Sequence, residues 1–178
     1  KSQNIKMFAS WQDLLNMEFS NRKSGWVKDG TLQLDSNMLK FMDVAKTLDN
    51  DGLTMNTTPW DGEWIAGVNK NDCFSYVLPT WGYQFVVKAN AKATVGKWGL
   101  AQMTVPYVKG GTWLGIYNRT QKKQAAWRLL KYVTTDAKAQ ETYASATGDY
   151  MSVKTVDEEL AKSGNDKVLD QQNSYQFY

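Results

Sequence analysis

One cysteine, Cys73, and no histidine stand in a chain of 178 residues. A disulfide framework is therefore excluded, and so is a zinc site of the Cys/His kind, so a buried apolar core must hold this fold. A chain of this length buries roughly 70% of its unfolded surface, enough for one domain over 1–178. The same scarcity removes catalytic classes, because neither a Ser/His/Asp nor a Cys/His nucleophile system can be built. Core material is unusually aromatic, with eight Trp and nine Tyr. The net charge of +3 is too mild to imply a nucleic-acid partner. Apolar runs are only a few residues long, so nothing reads as a membrane span, and Lys1 to Trp11 lack the apolar stretch of a signal peptide.

Periodicity orders the chain. Lys1–Val27 reads as irregular with a short amphipathic stretch at Trp11, Leu14, Leu15, Met17 and Phe19. Lys28-Asp29-Gly30 is a turn signal, followed by alternation of Leu32 and Leu34 as in a strand. Ser36 is the predicted N-cap of a helix carrying Met38, Phe41, Met42, Ala45 and Leu48, closed by Gly52. A second helix is predicted from Thr58, with Pro59 in its first turn and Trp60, Trp64 and Val68 on one face. Cys73 to Leu78 reads as a buried strand stopped by Pro79, and Gln84–Val87, Trp98–Met103 and Thr112–Tyr117 as further strands. From Gln121 the pattern turns helical, with a stripe of Ala125, Ala126, Leu129, Leu130 and Val133 and with Trp127 beside it in the core. A helix from Ala137 to Ser145 ends at Gly148, Thr155 to Glu158 forms a capping box, and 165–178 is a polar, loosely held tail. Mixed helices and strands place the chain in the α/β class, with α+β as the alternative.

Few residue constellations carry chemistry. Asp61 and Glu63 are two apart, a spacing that does not bring helical side chains together, and Asp157, Glu158 and Glu159 suit a helix's first turn by the macrodipole alone. Phosphate-binding glycine loops are absent. Arg119, Lys122, Lys123, Arg128 and Lys131 fall opposite the apolar stripe, as the solvated face of an amphipathic helix does. Gly110-Gly111 is either a turn needing positive φ or a place where backbone approaches a ligand closely. Trp81, just past a strand, and Trp113, just after the glycine pair, sit where α/β folds place ligands. A flat indole offers an apolar face to the C–H face of a sugar ring. Leu78 to Val87 contain no acid, which tilts the expected cargo from a polyamine towards a neutral sugar.

The order of segments from about Ser36 to Val156 resembles the family 1 extracellular solute-binding proteins, the substrate-capturing subunits of ABC importers. The carrying residues are Trp60–Val68, Asn71 to Trp81, Gly96 to Gln102, Pro106 leading to Gly110–Ile116, Lys122 to Tyr132, Ala139 to Glu141 and Thr147 to Tyr150. The resemblance implies a single C-terminal lobe of a periplasmic-binding-protein-like type II fold, a central mixed sheet flanked by helices, with the N-terminal lobe absent from this chain. Two such lobes close over a ligand by hinge bending and deliver it to the permease subunits. By resemblance, Trp81 is a stacking platform for a carbohydrate, Gly110 and Gly111 bring backbone N–H groups to its hydroxyls, and Trp113 lines the same wall. Tyr83, Tyr150 and Trp60 are further candidates at the rim.

The resemblance implies no catalytic residue, no metal and no cofactor. It also implies a bacterial protein, extracellular or periplasmic, tethered by a lipid anchor outside this chain. The isolated lobe is expected to self-associate through its aromatic half-cleft. The alternatives are the same fold with a peptide, polyamine or metal complex as cargo, a carbohydrate-active enzyme, or a carbohydrate-binding module.

Overall fold

The structure is a computed structural model that describes residues 4–177. It mixes helix and strand, as the composition of the pattern predicts, but strands hold only about 6% of the chain. Where one domain is expected over 1–178, the chain divides into two compact units. The first joins Lys1–Thr94 to Gln102–Lys109, and the second joins Val95–Ala101 to Gly110–Tyr178.

The first unit begins with strand β1 (Lys6–Phe8) and helix α1 (Trp11–Ser20), a helix the sequence shows only as an amphipathic stretch. Ser10 starts α1 by accepting the Gln12 N–H through its hydroxyl. Strands β2 (Val27–Lys28) and β3 (Thr31–Leu32) form an antiparallel hairpin across Asp29-Gly30, with φ of 50° and 75°, the primed turn that suits right-handed strand twist. Helix α2 (Ser36–Asn50) is capped one residue earlier than predicted, because the Asp35 carboxylate reaches the Met38 N–H at 2.9 Å. It buries Met38, Phe41 and Leu48, while Met42 of the predicted stripe faces out. Its end is a Schellman turn: Leu53 N–H bonds to Leu48 C=O and Gly52 N–H to Asp49 C=O, with Gly52 at φ 59° as glycine allows. That turn delivers Leu53 to β1, where its carbonyl accepts the Met7 N–H at 2.8 Å.

Helix α3 (Gly62–Lys70) starts later than the predicted Thr58, because the Asp61 carboxylate, and not Thr58, caps it at the Trp64 N–H. Trp64 and Val68 are fully buried on its inner face. Gly67 lies between them, and a Cβ there would stand 2.5 Å from Tyr76 Oη, so only glycine fits without movement. Strand β4 (Cys73–Ser75) pairs parallel with β1, Lys6 opposite Cys73 and Phe8 opposite Ser75. Phe8 also bridges Thr54 in parallel, so β1 lies between two parallel neighbours. Only half of the predicted strand from Cys73 to Leu78 pairs.

Beyond Pro79 a single helical turn, α4 (Thr80–Gly82), runs into π-helical Tyr83–Lys88. Gln84–Val87 is therefore helical and not the predicted strand. The β-branched Val86 and Val87 suggested strand locally, but Tyr83, Val86 and Val87 share one buried face at helical spacing. Burial of that face overrides the local preference.

The second unit holds helices α5 (Lys123–Thr135), α6 (Ala137–Thr147) and α7 (Lys154–Leu160). Asp136 ends α5 and caps α6 through the Ala139 N–H. Gln140, almost fully buried, ties the helices together. Its amide donates to Val133 C=O and Ser152 Oγ, and its carbonyl accepts the Val153 N–H. The Thr155 capping box does not form, since α7 starts at Lys154 and its cap position, Val153, offers no side-chain oxygen. Asp157 instead accepts the Met151 N–H.

The predicted core stripe of α5 is not buried. No residue of this helix is, and Trp127, expected inside, is 53% exposed. The predicted strands Trp98–Met103 and Thr112–Tyr117 form no strand among the described residues, because β-prone sequence stays irregular without a ladder partner. The segment predicted as a loose tail is bonded in place. Leu169, Asn173 and Ser174 are buried, Asn173 donates to Leu160 C=O and Ser163 C=O, and Tyr175 Oη donates to Asp149 C=O.

Candidate functional site

The first unit gathers its chemistry at one edge of the small parallel sheet. From the C-terminal end of β1 the chain passes through Ala9-Ser10 into α1, which presents Asp13 one turn in. From Thr54, parallel to β1, it reaches Trp60, and from the end of β4 it reaches Tyr76 and Trp81. Parallel strands share an edge at their C-terminal ends, the place where α/β folds collect ligand groups.

There the aromatic rings stack on one another. Trp60 and Trp81 lie 4.9 Å apart between centroids at 21°, a stacked pair. Trp64 tilts against Trp60 at 5.1 Å, and Tyr76 meets Trp64 edge-on at 5.0 Å. Trp60 takes φ of 74°, the left-handed region, which costs a bulky residue on the order of 1–2 kcal/mol. The surrounding packing holds that strain and sets the ring against Trp81. Trp81 is fixed in turn by its indole N–H, which donates to Lys109 C=O at 2.8 Å.

Two charged groups complete the cluster. Asp13 is 2% exposed; its Oδ2 accepts the Trp64 indole N–H at 3.0 Å, and its Oδ1 has no hydrogen-bond partner among the described residues. Burial raises its carboxyl to about 6, against the lowering effects of the Trp64 bond and the Lys109 charge. Lys109 holds its Nζ 5.3 Å from the Trp60 ring centroid, in the range of a cation–π contact. Burial lowers its pKa and the charge of Asp13 opposes that. Burial likewise pushes the Cys73 thiol up to about 11, which favours the thiol over the thiolate.

No family model matches this chain, and no curated protein or solved structure matches it either.

Of the residues singled out from sequence, Trp60 and Trp81 come together, both half-buried. Tyr83 lies in the same unit but is only 2% exposed, inside the core and not on a rim. Gly110, Gly111, Trp113 and Tyr150 belong to the second unit. Gly110 and Gly111 take φ of 71° and 125°, the positive region that glycine adopts readily, within irregular chain. Trp113 is 95% exposed. Tyr150 packs on Tyr175 at 5.0 Å and donates to Ser174 C=O, which anchors it to the C-terminal segment.

Sequence reasoning missed Asp13, Lys109 and Trp64 as site residues. For acids beside Trp81 it looked only at the stretch Leu78 to Val87, whereas Asp13 is 68 residues before Trp81 and arrives through β1. The available signal was an acid in the first turn of an amphipathic stretch, four residues before Met17 and so on the same helix face. Among the described residues no three His, Cys, Asp or Glu side chains converge as a metal would require.

Proposed function

We propose that this chain is part of the solute-binding component of an ABC importer, one that captures a carbohydrate without transforming it and hands it to the permease. The observation that carries this reading is the stacked Trp60–Trp81 pair at the C-terminal edge of a parallel sheet, beside a buried carboxylate. One face of Trp81 rests on Trp60, and a sugar ring stacked on the other covers about 50 Å² of apolar surface, worth about 1 kcal/mol. Asp13 accepts the Trp64 indole N–H and braces the ring cluster from its buried side, which holds the Trp81 platform flat for an apolar sugar face.

The rest of the proposal follows the family resemblance. The fold is read as one lobe of a type II binding protein whose other lobe lies outside this chain, held at the outer face of a membrane by a lipid anchor. Half of the contacts then predict weak capture: a ligand bound at about −8 kcal/mol by two lobes keeps about −4 with one, near millimolar.

Titration calorimetry with a panel of neutral oligosaccharides tests this. The expected result is saccharide binding by this chain near millimolar, lost in Trp81→Ala with the fold retained by circular dichroism. Unchanged binding in that variant would remove the site assignment, and micromolar binding would remove the single-lobe reading.

A further inference from the structure

Helix α5 exposes an apolar face. Ala125, Leu129, Tyr132 and Val133 recur at the three- and four-residue spacing of one side of a helix. All four are exposed, Leu129 at 64% and Tyr132 at 55%. The charge around this strip is of one sign. No Asp or Glu occurs from Gly110 to Thr135, while Arg119, Lys122, Lys123, Arg128 and Lys131 all fall there. The first acid beyond, Asp136, is turned to the Ala139 N–H as the cap of α6. Arg119, Lys122, Lys123 and Arg128 line one open pocket of about 740 Å³, together with Ala125 of the strip. None of these four cations makes an ion pair among the described residues. Helix stability does not account for the placement. Lys122 and Lys123 stand at the positive end of the α5 dipole, where cations are unfavourable, and the cap position makes no side-chain bond.

We infer that α5 docks this protein on an anionic lipid surface, with lipid phosphates in the basic pocket and the apolar strip laid into the boundary between headgroups and acyl chains. The inference stands apart from the carbohydrate reading, because every residue it uses belongs to the second unit. Charge complementarity selects an anionic partner, and the aliphatic side chains select among anionic partners. A nucleic acid offers phosphates to the cations and base faces to aromatic rings, but no apolar phase for Leu129 and Val133. An acidic protein needs a groove shaped to the helix, whereas a bilayer deforms around a convex face. Tyr132 adds an amphipathic ring of the kind enriched at membrane–water boundaries.

Co-sedimentation of the full chain with sucrose-loaded vesicles, in about 0.1 M salt, tests this. Vesicles of equal parts phosphatidylglycerol and phosphatidylcholine should carry the chain down. Vesicles of phosphatidylcholine alone should bind it about tenfold or more weakly. Lys122→Gln together with Lys123→Gln should weaken the anionic binding about twentyfold. Leu129→Asn, which keeps every cation, should weaken it about fivefold. The replaced side chains are exposed, so circular dichroism should show the fold retained, and should one variant unfold the other decides. Equal binding to both vesicle types, or binding to neither, overturns the inference. Anionic binding left unchanged by either folded variant overturns it as well, and so does full displacement by inorganic phosphate at constant ionic strength. Tighter binding of single-stranded oligothymidine than of the anionic vesicles assigns the cations to nucleic acid and overturns the lipid docking.

Discussion

The indole N–H of Trp64 donates to Oδ2 of Asp13 across 3.0 Å, joining α3 to the first turn of α1. Both side chains are buried, and the bond leaves the second carboxylate oxygen without a partner among the described residues. A hydrogen bond to the ionised form lowers a carboxyl's pKa, yet Asp13 stands at about 6, so burial outweighs the bond.

The sign of the resulting pH dependence follows from linkage. The folded carboxyl holds its proton to about 6 while the unfolded one loses it near its ordinary value, so between these limits the folded state binds more protons. Stability contributed by Asp13 is full below about pH 4 and is lost as pH rises through 6, by on the order of 2–3 kcal/mol. Lys109, Cys73 and Tyr76 face the same carboxyl, and only Lys109 carries charge in that range. Urea melts of the parent and of Asp13→Asn from pH 4 to 7 check this. The parent should lose stability relative to the variant as pH rises, and a constant difference would refute it.

Backbone strain at Trp60 separates from its ring contacts by comparing two truncations. Trp60→Ala and Trp60→Gly both remove the stack on Trp81, but only glycine takes φ of 74° without penalty. Trp60→Gly should therefore be the more stable of the two by about 1 kcal/mol in chemical denaturation.

Close packing at Gly67 makes a directional prediction. A Cβ there meets Tyr76 Oη at 2.5 Å and Met55 Cε at 2.7 Å. Methionine bends away and the tyrosine hydroxyl, bonded to Trp64 C=O, does not. Gly67→Ala should cost about 1–3 kcal/mol, and Tyr76→Phe in the same chain should cost less than it does alone, because it also removes the clash. A thermal-melt double-mutant cycle with purely additive losses would exclude that contact.

In the second unit, Gln140 is the side chain whose loss should spread furthest. Replacing it with Leu leaves the Val153 N–H without its partner and breaks the links to Val133 and Ser152. The expected cost is about 2–4 kcal/mol. Hydrogen exchange should show lost protection in α5, α6 and α7 with α2 and α3 unchanged, since they belong to the other unit.

Local signals were legible along the chain. The apolar spacing of Met38, Phe41 and Leu48 marks α2, Gly52 ends it, Asp29-Gly30 turns the hairpin, and α5 and α6 follow their helical stripes. Each depends on residues within one or two turns of each other, and so does the exclusion of disulfide and His-based chemistry. What lay beyond reach was decided by partners distant in the chain. The same i, i+3, i+4 pattern is buried in α2 and exposed in α5, because a stripe states what a helix can bury and not whether anything arrives to cover it. Thr112–Tyr117 is β-prone yet unpaired, because a strand exists only with its neighbour. The site follows the same rule: Trp81 was legible as an aromatic near a loop and Trp60 as one on a helix face, but Asp13 joins them only because β1 runs parallel to Thr54 and to β4. That strand pairing brings an acid from the first helix into the cluster, where burial raises its carboxyl to about 6.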